Sequence, residues 1–355
     1  MPESSGVSGL SGVSEVSGAE LLLRVVERVQ ETPDAVSLVL EAPGRGPLPY
    51  RPGQFLTLRV PGGGARCYSL AGSPHTGDPL RITVKKVPGG VGSAWVCERL
   101  APGDEVRALP PAGTFTPADL DRELLLVAGG SGITPLLSIA KSALAVGRER
   151  VTLLYANRDA ESVALAGELR ELVAEHPGRF AVVHWLERLQ GLPTADRLAP
   201  LVAPYPAAEA YLCGPAPLMD AAEAALRAVG AGSRGVHRER YFSLSGDVFA
   251  QRPPLRTGAG PGVTAEVDLD GTTHTVAWAP DAPLLDALLA AGVQAPYSCR
   301  EGACSACCCR VVEGEVKMLR NEVLDRDDLA EGYVLACQAV PSGPPGARIR
   351  ISYAG

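Results

Sequence analysis

Through the first hundred residues, apolar and polar positions alternate in short runs broken by Gly and Pro. The runs "LLLRVVERVQE", "AVSLVLEAP", "YRPGQFLTLRV", "RCYSLAGSP" and "LRITVKKV" read as brief strands with one face buried. Many short strands with Gly and Pro between them predict a small antiparallel barrel. The pattern then changes. "RELLLVAGGSGITPLLSIAKSAL" is a continuous apolar strand, a Gly-rich turn and a helix with apolar residues at helical spacing, and "RVTLLYANRDAES" is a second apolar strand that ends in polar residues. That succession predicts a βαβ unit in a parallel sheet, whose strand ends are where dinucleotides bind. After position 263 alternation returns in "TAEVDLDGTTHTVAWAP", followed by a helical "PLLDALLAAGV" and a last strand "ARIRISY".

These changes divide the chain into a tail (1–18), a barrel (19–117), a parallel-sheet domain (118–245), a linker (246–263) and a C-terminal module (264–355). The linker contains "AQRPPLRTGAGPGV", rich in Pro and Gly and nearly free of apolar side chains. The tail has no charged leader followed by an apolar run, and it reads as disordered. No stretch approaches the length of a membrane span. With 355 residues and 46% hydrophobic content there is enough chain for two or three cores.

Charge narrows the partners. A net charge of −7 argues against nucleic acid, which calls for clustered Lys and Arg. The imbalance is concentrated: residues 264–355 carry 13 acids and 7 bases, net −6, so the rest is nearly neutral.

Nine cysteines, an odd number and tightly clustered, do not look like an extracellular disulfide framework, and they point to a reducing cytoplasm. Five fall within "PYSCREGACSACCC". Cys299, Cys304 and Cys307 stand as C-x4-C-x2-C, and Cys337 follows after 29 intervening residues. This is the plant-type spacing for four thiolates around a [2Fe–2S] cluster. Small residues between them let backbone N–H groups approach sulfur. A zinc site and unliganded thiols are the alternatives, although zinc favours paired C-x2-4-C hooks. Cys308 and Cys309 enter a strand on opposite faces and read as packing residues.

A cluster accepts one electron at a time while a nicotinamide delivers two, so a chain that holds both needs a flavin between them. "PYSCREGACSAC" resembles the loop of plant-type ferredoxins, which implies a β-grasp domain. Arg66-Cys67-Tyr68-Ser69 resembles the flavin signature of the ferredoxin–NADP reductase superfamily. The resemblance implies that Arg66 pairs with flavin phosphate, that Tyr68 packs by the ring system and that Ser69 sits near flavin N5. Thr83, Val84 and Lys85 would border the flavin, and Gly92 and Ser93 would open a helix whose N-terminus holds the pyrophosphate. "GGSGITP" (Gly130, Gly132, Thr134, Pro135) resembles the nicotinamide loop of the same superfamily. "CGP" resembles the motif in which Cys213 lies near the reacting carbon and Gly214 and Pro215 shape the approach. Glu239 resembles an acid kept beside the flavin. Cofactor choice falls to the residues after "LLYAN": one Arg158 beside Asp159 and Glu161 leans to NADH.

Over nearly its whole length the chain resembles reductase components of multicomponent bacterial oxygenases, and most of all the group serving 3-ketosteroid 9α-hydroxylases. "HWLERLQGLP" is part of that likeness without a derivable cofactor role. The resemblance implies a flavin-binding antiparallel barrel, a Rossmann-like parallel-sheet domain and a β-grasp ferredoxin domain. It also implies FAD, a [2Fe–2S] cluster and NADH, and a monomer passing electrons to a terminal oxygenase of the Rieske type. An aromatic-ring or phenylacetyl-CoA oxygenase or a cytochrome P450 stands as another customer. A non-enzymatic electron-storage or metal-binding module is the alternative class.

Overall fold

The computed structural model describes residues 20–353 except 63, 233–234, 242–243, 245, 250–261 and 325. The tail at 1–18 and most of the linker at 246–263 therefore lie outside the described residues. The first sheet contains β1 (Leu21–Thr32), β2 (Ala35–Glu41), β3 (Phe55–Val60), β4 (Gly64–Ser69), β5 (Leu80–Lys85) and β6 (Glu105–Ala112), with α1 (Val91–Glu98) between the last two. Its strands run antiparallel in the order β4-β3-β6-β1-β2-β5. An isolated bridge from Leu70 to Ile82 brings the end of β4 beside β5 and curls the sheet into a barrel. The alternation read from the sequence is visible in β1, where Leu21, Leu23 and Val25 are buried and Leu22 and Val26 are exposed.

The second sheet is wholly parallel, ordered β11-β10-β7-β8-β9. Its elements are β7 (Leu124–Gly129), α2 (Ile133–Val146), β8 (Val151–Asn157), α3 (Ala166–Glu175), β9 (Phe180–Leu186), α4 (Glu187–Gln190), α5 (Ala195–Val202), β10 (Glu209–Cys213), α6 (Ala216–Ala228) and β11 (Val236–Glu239). Every residue of β7 is buried, as a central parallel strand requires. Leu124, Leu126 and Ala128 join the core under α2 and α3, while Leu125 and Val127 join the core under α5 and α6. Helices on both faces leave only the strand ends open for chemistry.

The C-terminal module contains β12 (Val263–Leu269), β13 (Thr272–Trp278), α7 (Leu284–Ala290), β14 (Cys308–Glu313), β15 (Val316–Met318), α8 (Arg326–Ala330), β16 (Tyr333–Leu335), β17 (Ala339–Pro341) and β18 (Arg348–Ser352). Its main sheet is ordered β13-β12-β18-β14-β16, with β12 and β18 parallel, and β15 pairs with β17 apart from it. The first hairpin turns on Asp270 and Gly271, both at positive φ (51° and 75°), as a tight Asp-Gly turn requires. Trp278 is fully buried and its Nε1 donates to the Ala282 carbonyl at 2.7 Å, which pins the strand to the start of α7. The long excursion between α7 and β14 carries three of the clustered cysteines.

Candidate redox centres

Strand β4 sets the first centre. Alternation puts Arg66 and Tyr68 on one face and Cys67 and Ser69 on the other. Helix α1 packs against the Arg66 and Tyr68 face through Gly92. A Cβ on Gly92 would lie 2.8 Å from Arg66 Cγ and 3.4 Å from Tyr68 Oη, so a side chain there would push the helix off the strand. The first-turn N–H groups of α1 lack intrahelical acceptors and lie on the same side as Arg66, a donor set suited to an anionic pyrophosphate. Arg66 Nη1 already donates to the carbonyl of Leu244 at 3.2 Å. Ser93 Oγ accepts from Val87 N–H at 3.0 Å and ties the helix start to its loop. Thr83 is buried against Ser37 (Oγ1···Oγ, 2.8 Å), Val84 is a core residue, and Lys85 Nζ lies 3.7 Å from Asp34. Val84 can therefore border a ligand only through its backbone.

The second centre arises because β7 and β10 are neighbours in register, Ala128 beside Cys213. The two glycine motifs that follow these strands meet backbone to backbone. A Cβ on Gly132 would fall 2.0 Å from the Cys213 carbonyl oxygen, and one on Gly129 would strike Pro215 and Leu218. Gly130 adopts φ +53°, and its carbonyl accepts from Tyr155 Oη at 3.1 Å. Thr134 Oγ1 donates to Ser131 O at 2.9 Å and reaches Thr83 O at 3.4 Å, joining the start of α2 to the barrel. Pro135 is buried in the first turn of that helix, where a missing N–H costs nothing.

Between barrel and parallel sheet, Ser69, Cys213 and Glu239 converge from three different strands. Ser69 Oγ lies 3.4 Å from Glu239 Oε2 and 3.1 Å from Tyr241 Oη, and Cys213 Sγ lies 4.0 Å from Glu239 Oε2. Desolvation pushes the Glu239 carboxyl up to about 8, against the opposing hydrogen bond from Ser69. Burial and the adjacent carboxylate push the Cys213 thiol upward as well, so it stands protonated. Tyr241 belongs to this group and escapes a reading of the sequence, where an aromatic after "RER" carries no signal of its own.

The third centre is the cysteine loop. Cys299, Cys307 and Cys337 are buried and Cys304 is partly so. The Cys299 thiol lies within hydrogen-bond reach of those of Cys304 and Cys337, and Cys337 within reach of Cys307. N–H groups of Glu301 and Ala303 donate to Cys299 Sγ, and that of Cys337 to Cys307 Sγ, each at 3.4 Å. Gly302, at φ +72°, packs against the Arg320 carbonyl where a Cβ would lie 2.8 Å away. Among the described residues no group of three or more His, Cys, Asp or Glu closes on a single metal ion. An open set of four thiols with N–H donors aimed at sulfur suits a two-iron cluster. Cys309 is buried and donates to Val334 O, while Cys308 is half-buried, consistent with packing roles.

That loop packs on the barrel. Ser298 Oγ lies 2.7 Å from Thr57 Oγ1 on β3 and 3.4 Å from Cys67 Sγ on β4. Ala65 and Leu109 of the barrel share an apolar cluster with Cys299 and Ala303, and Phe55 and Ala112 share one with Ala306.

Residues after β8 depart from the sequence expectation. Asp159 caps a short turn through Ser162 N–H (3.0 Å), and its Oδ2 lies 3.2 Å from both Arg158 Nε and Arg188 Nη1. The count of one Arg against two acids is therefore revised: Arg188, from "HWLERLQGLP", brings a second guanidinium. That segment folds on itself through Trp185 Nε1, which donates to Gly191 O at 2.8 Å, and against the loop after β8 through Arg188 N–H, which donates to Arg158 O at 3.0 Å.

Three family models match in chain order: an oxidoreductase FAD-binding domain over residues 22–116, an oxidoreductase NAD-binding domain over 126–224 and a 2Fe-2S iron-sulfur cluster binding domain over 267–342. The ferredoxin reductase component of 3-ketosteroid-9-alpha-monooxygenase from Rhodococcus rhodochrous is 50% identical over 90% of this chain and 94% of its own. A component of the 1,2-phenylacetyl-CoA epoxidase of Escherichia coli K12 is 34% identical over 90% and 94%. Among solved structures, phthalate dioxygenase reductase, described as modular for electron transfer from pyridine nucleotides to [2Fe–2S], superimposes over 94% of this chain and 98% of its own, with TM-score 0.57 and 28% identity. FAD, a nicotinamide nucleotide and a [2Fe–2S] cluster thus each have a domain here, and the chain belongs to the oxygenase ferredoxin reductases typified by the component of 3-ketosteroid-9-alpha-monooxygenase.

Proposed function

We propose that the chain oxidises NADH, divides the electron pair and delivers single electrons to a Rieske-type terminal oxygenase that hydroxylates a 3-ketosteroid. The observation that carries the electron route is the seam at Thr57, Cys67 and Ser298, where the strand bearing the flavin signature touches the residue before Cys299. When bound, the flavin supplies the exchange between hydride and single electrons that neither nicotinamide nor cluster can perform alone. The chain's own residues bind and orient. Arg66 and the start of α1 hold a pyrophosphate, and the glycine motifs that meet at Gly132 and Cys213 let the nucleotide approach the backbone closely. Ser69, Glu239 and Cys213 line the space where the transfer occurs, and a protonated Cys213 presents a neutral face to it. Cys299, Cys304, Cys307 and Cys337 hold the cluster.

The proposed division is barrel 19–117, nicotinamide domain 118–245 and ferredoxin 264–355, and the proposed state is a cytoplasmic monomer. Among the described residues no helix is long and apolar enough to cross a membrane. The steroid customer is favoured over a phenylacetyl-CoA system because the relative named for the steroid system is 50% identical and the other 34%.

The test is reconstitution with candidate oxygenases, combined with cofactor analysis. About two irons and one FAD per chain are expected, and Cys337→Ser should lose the cluster while NADH still bleaches the flavin. A stable zinc protein lacking iron and sulfide would sink the assignment. Coupled hydroxylation of a 3-ketosteroid by its oxygenase, absent with aromatic-ring oxygenases, would establish the customer.

A further inference from the structure

The barrel touches one side of the cysteine loop, through Thr57 and Cys67 at Ser298, Phe55 and Ala112 at Ala306, and the Thr114 N–H at Ser305 Oγ (3.4 Å). Another side is covered by the C-terminal module itself. Residues 319–322, which follow β15, run along the loop: Leu319 N–H donates to Gln338 O at 3.0 Å and Glu322 N–H to Gly302 O at 3.0 Å, while the Arg320 carbonyl lies against Gly302. Gln338 completes this cover, its Nε2 donating to Arg300 O at 3.1 Å and to Cys337 Sγ at 3.7 Å. Leu319 is thus bonded to the residue that follows the last of the four spaced cysteines.

This cover has an apolar centre and acidic surroundings. Leu319 is 62% exposed, and Leu329, on α8, is 44% exposed. A single exposed leucine is common; the place of this one beside Gln338 and Cys337, and the charge around it, set it apart. Residues 319–331 hold five acids and two bases, net −3, so half of the module's −6 falls in this short stretch. Helix α8 carries Asp327 and Asp328 in its first turn and leads into β16, whose Leu335 pairs with Cys308. Asn321 shapes the turn before the helix: its Oδ1 accepts from the N–H groups of Val323 (3.1 Å) and Leu324 (2.9 Å), and its Nδ2 donates to Leu324 O at 2.8 Å.

We propose that Leu319 and the acids between Glu322 and Glu331 form the face on which the electron acceptor docks, and that the acceptor is a basic protein with an apolar spot beside its one-electron redox centre. The proposal rests on the electron-delivery reading above and names the surface that serves it. Opposite charge steers the encounter, and the leucine supplies a desolvated contact inside a polar rim. This face and the barrel seam meet the cysteine loop at different residues. Docking therefore does not require the seam to open, and each encounter passes one electron to the acceptor with the domains still packed.

Ferric cytochrome c, a basic one-electron acceptor with an exposed haem edge, is the probe, used against the FAD-loaded, cluster-loaded full chain. Calorimetric titration at low salt gives Kd without turnover, and NADH-driven reduction of the ferric haem to ferrous gives kcat and KM. Leu319→Ser and Glu331→Lys should each weaken binding and raise KM about threefold or more, with flavin reduction by NADH unchanged. Glu313→Lys makes the same change of charge at the far end of β14, roughly 17 Å along the strand from Cys308, and should alter binding far less. Thr57→Val, which removes a bond of the seam, should leave the affinity as it is. Equal weakening by Glu313→Lys and Glu331→Lys, or none by Leu319→Ser, would overturn the assignment of this face, and so would tighter binding to Thr57→Val, which would mean that the acceptor needs the seam open. An unaltered protein that reduces neither cytochrome c nor ferricyanide with NADH would instead overturn the electron-delivery reading itself.

Discussion

At the scale of single residues, Glu239 stands desolvated beside Ser69 and Cys213. Desolvation pushes its carboxyl from the ordinary 4.5 up to about 8, so between those values the folded state retains a proton that the unfolded state has lost. The stability this contributes is complete below about 4.5 and disappears as pH rises through about 8. Thermal melts of the holoprotein should therefore fall more steeply over that window than those of Glu239→Gln. Parallel curves would mean that Glu239 is solvated in the native protein. Cys213 offers a kinetic counterpart. Its thiol sits 4.0 Å from Glu239 at the end of β10, and the role proposed for it at the reacting carbon predicts that Cys213→Ala lowers kcat for flavin reduction more than it raises KM. A change confined to KM would assign the thiol to binding alone.

At the scale of elements, the β3–β4 hairpin has two neighbours at once, α1 and the cysteine loop. Arg66 and Tyr68 face α1, while the opposite face sends Cys67, with Thr57 beside it in register, toward Ser298. Burial pushes the Cys67 thiol up to about 11, so the contact is between neutral groups. Thr57→Val keeps the shape of the side chain and removes the hydroxyl, leaving Ser298 without its shortest partner. The expected result in stopped flow is cluster reduction slowed severalfold, with flavin reduction by NADH unchanged and Thr57→Ser restoring the rate. Equal slowing of both phases would make the hydroxyl a matter of stability only, with a cost on the order of 1 to 3 kcal/mol for an unpaired buried partner.

Strand and helix periodicity, the glycine motifs and the cysteine spacing were legible in the sequence because each is a local pattern that local geometry enforces. What was hidden depends on contacts across long separations. Tyr241 joins Ser69 across 172 positions, and Thr57 meets Ser298 across 241. Arg188 was concealed differently: it lies in a segment whose value is to fold back on the loop after β8, and no spacing rule marks such a return.

At the scale of the whole molecule, net charge separates the C-terminal module from the rest, with −6 of the −7 falling in residues 264–355. An acidic carrier that must release its partner after each electron benefits from steering by opposite charge. Electron delivery to a cognate oxygenase should therefore slow as salt rises from about 0.05 to 0.5 M, where surface charges become screened, and internal flavin reduction should change far less. A delivery step that is flat or accelerates would assign partner choice to apolar contacts.

Packing of the cysteine loop on the barrel also has a consequence for loss. Ala65, Leu109, Phe55 and Ala112 cover the loop at Cys299, Ala303 and Ala306, and close packing there removes surface at which dissolved dioxygen would meet the loop directly. A reductase working beside an oxygenase lives in its most wasteful oxidant, and electrons that escape to it become superoxide or peroxide. The same closed seam thus works as insulation. In the absence of a partner the protein should consume NADH and oxygen slowly, and Leu109→Ala, which thins the cover over Cys299 and Ala303, should leak faster, whereas the isosteric Thr57→Val should not. A peroxide assay under air would read how often the seal opens.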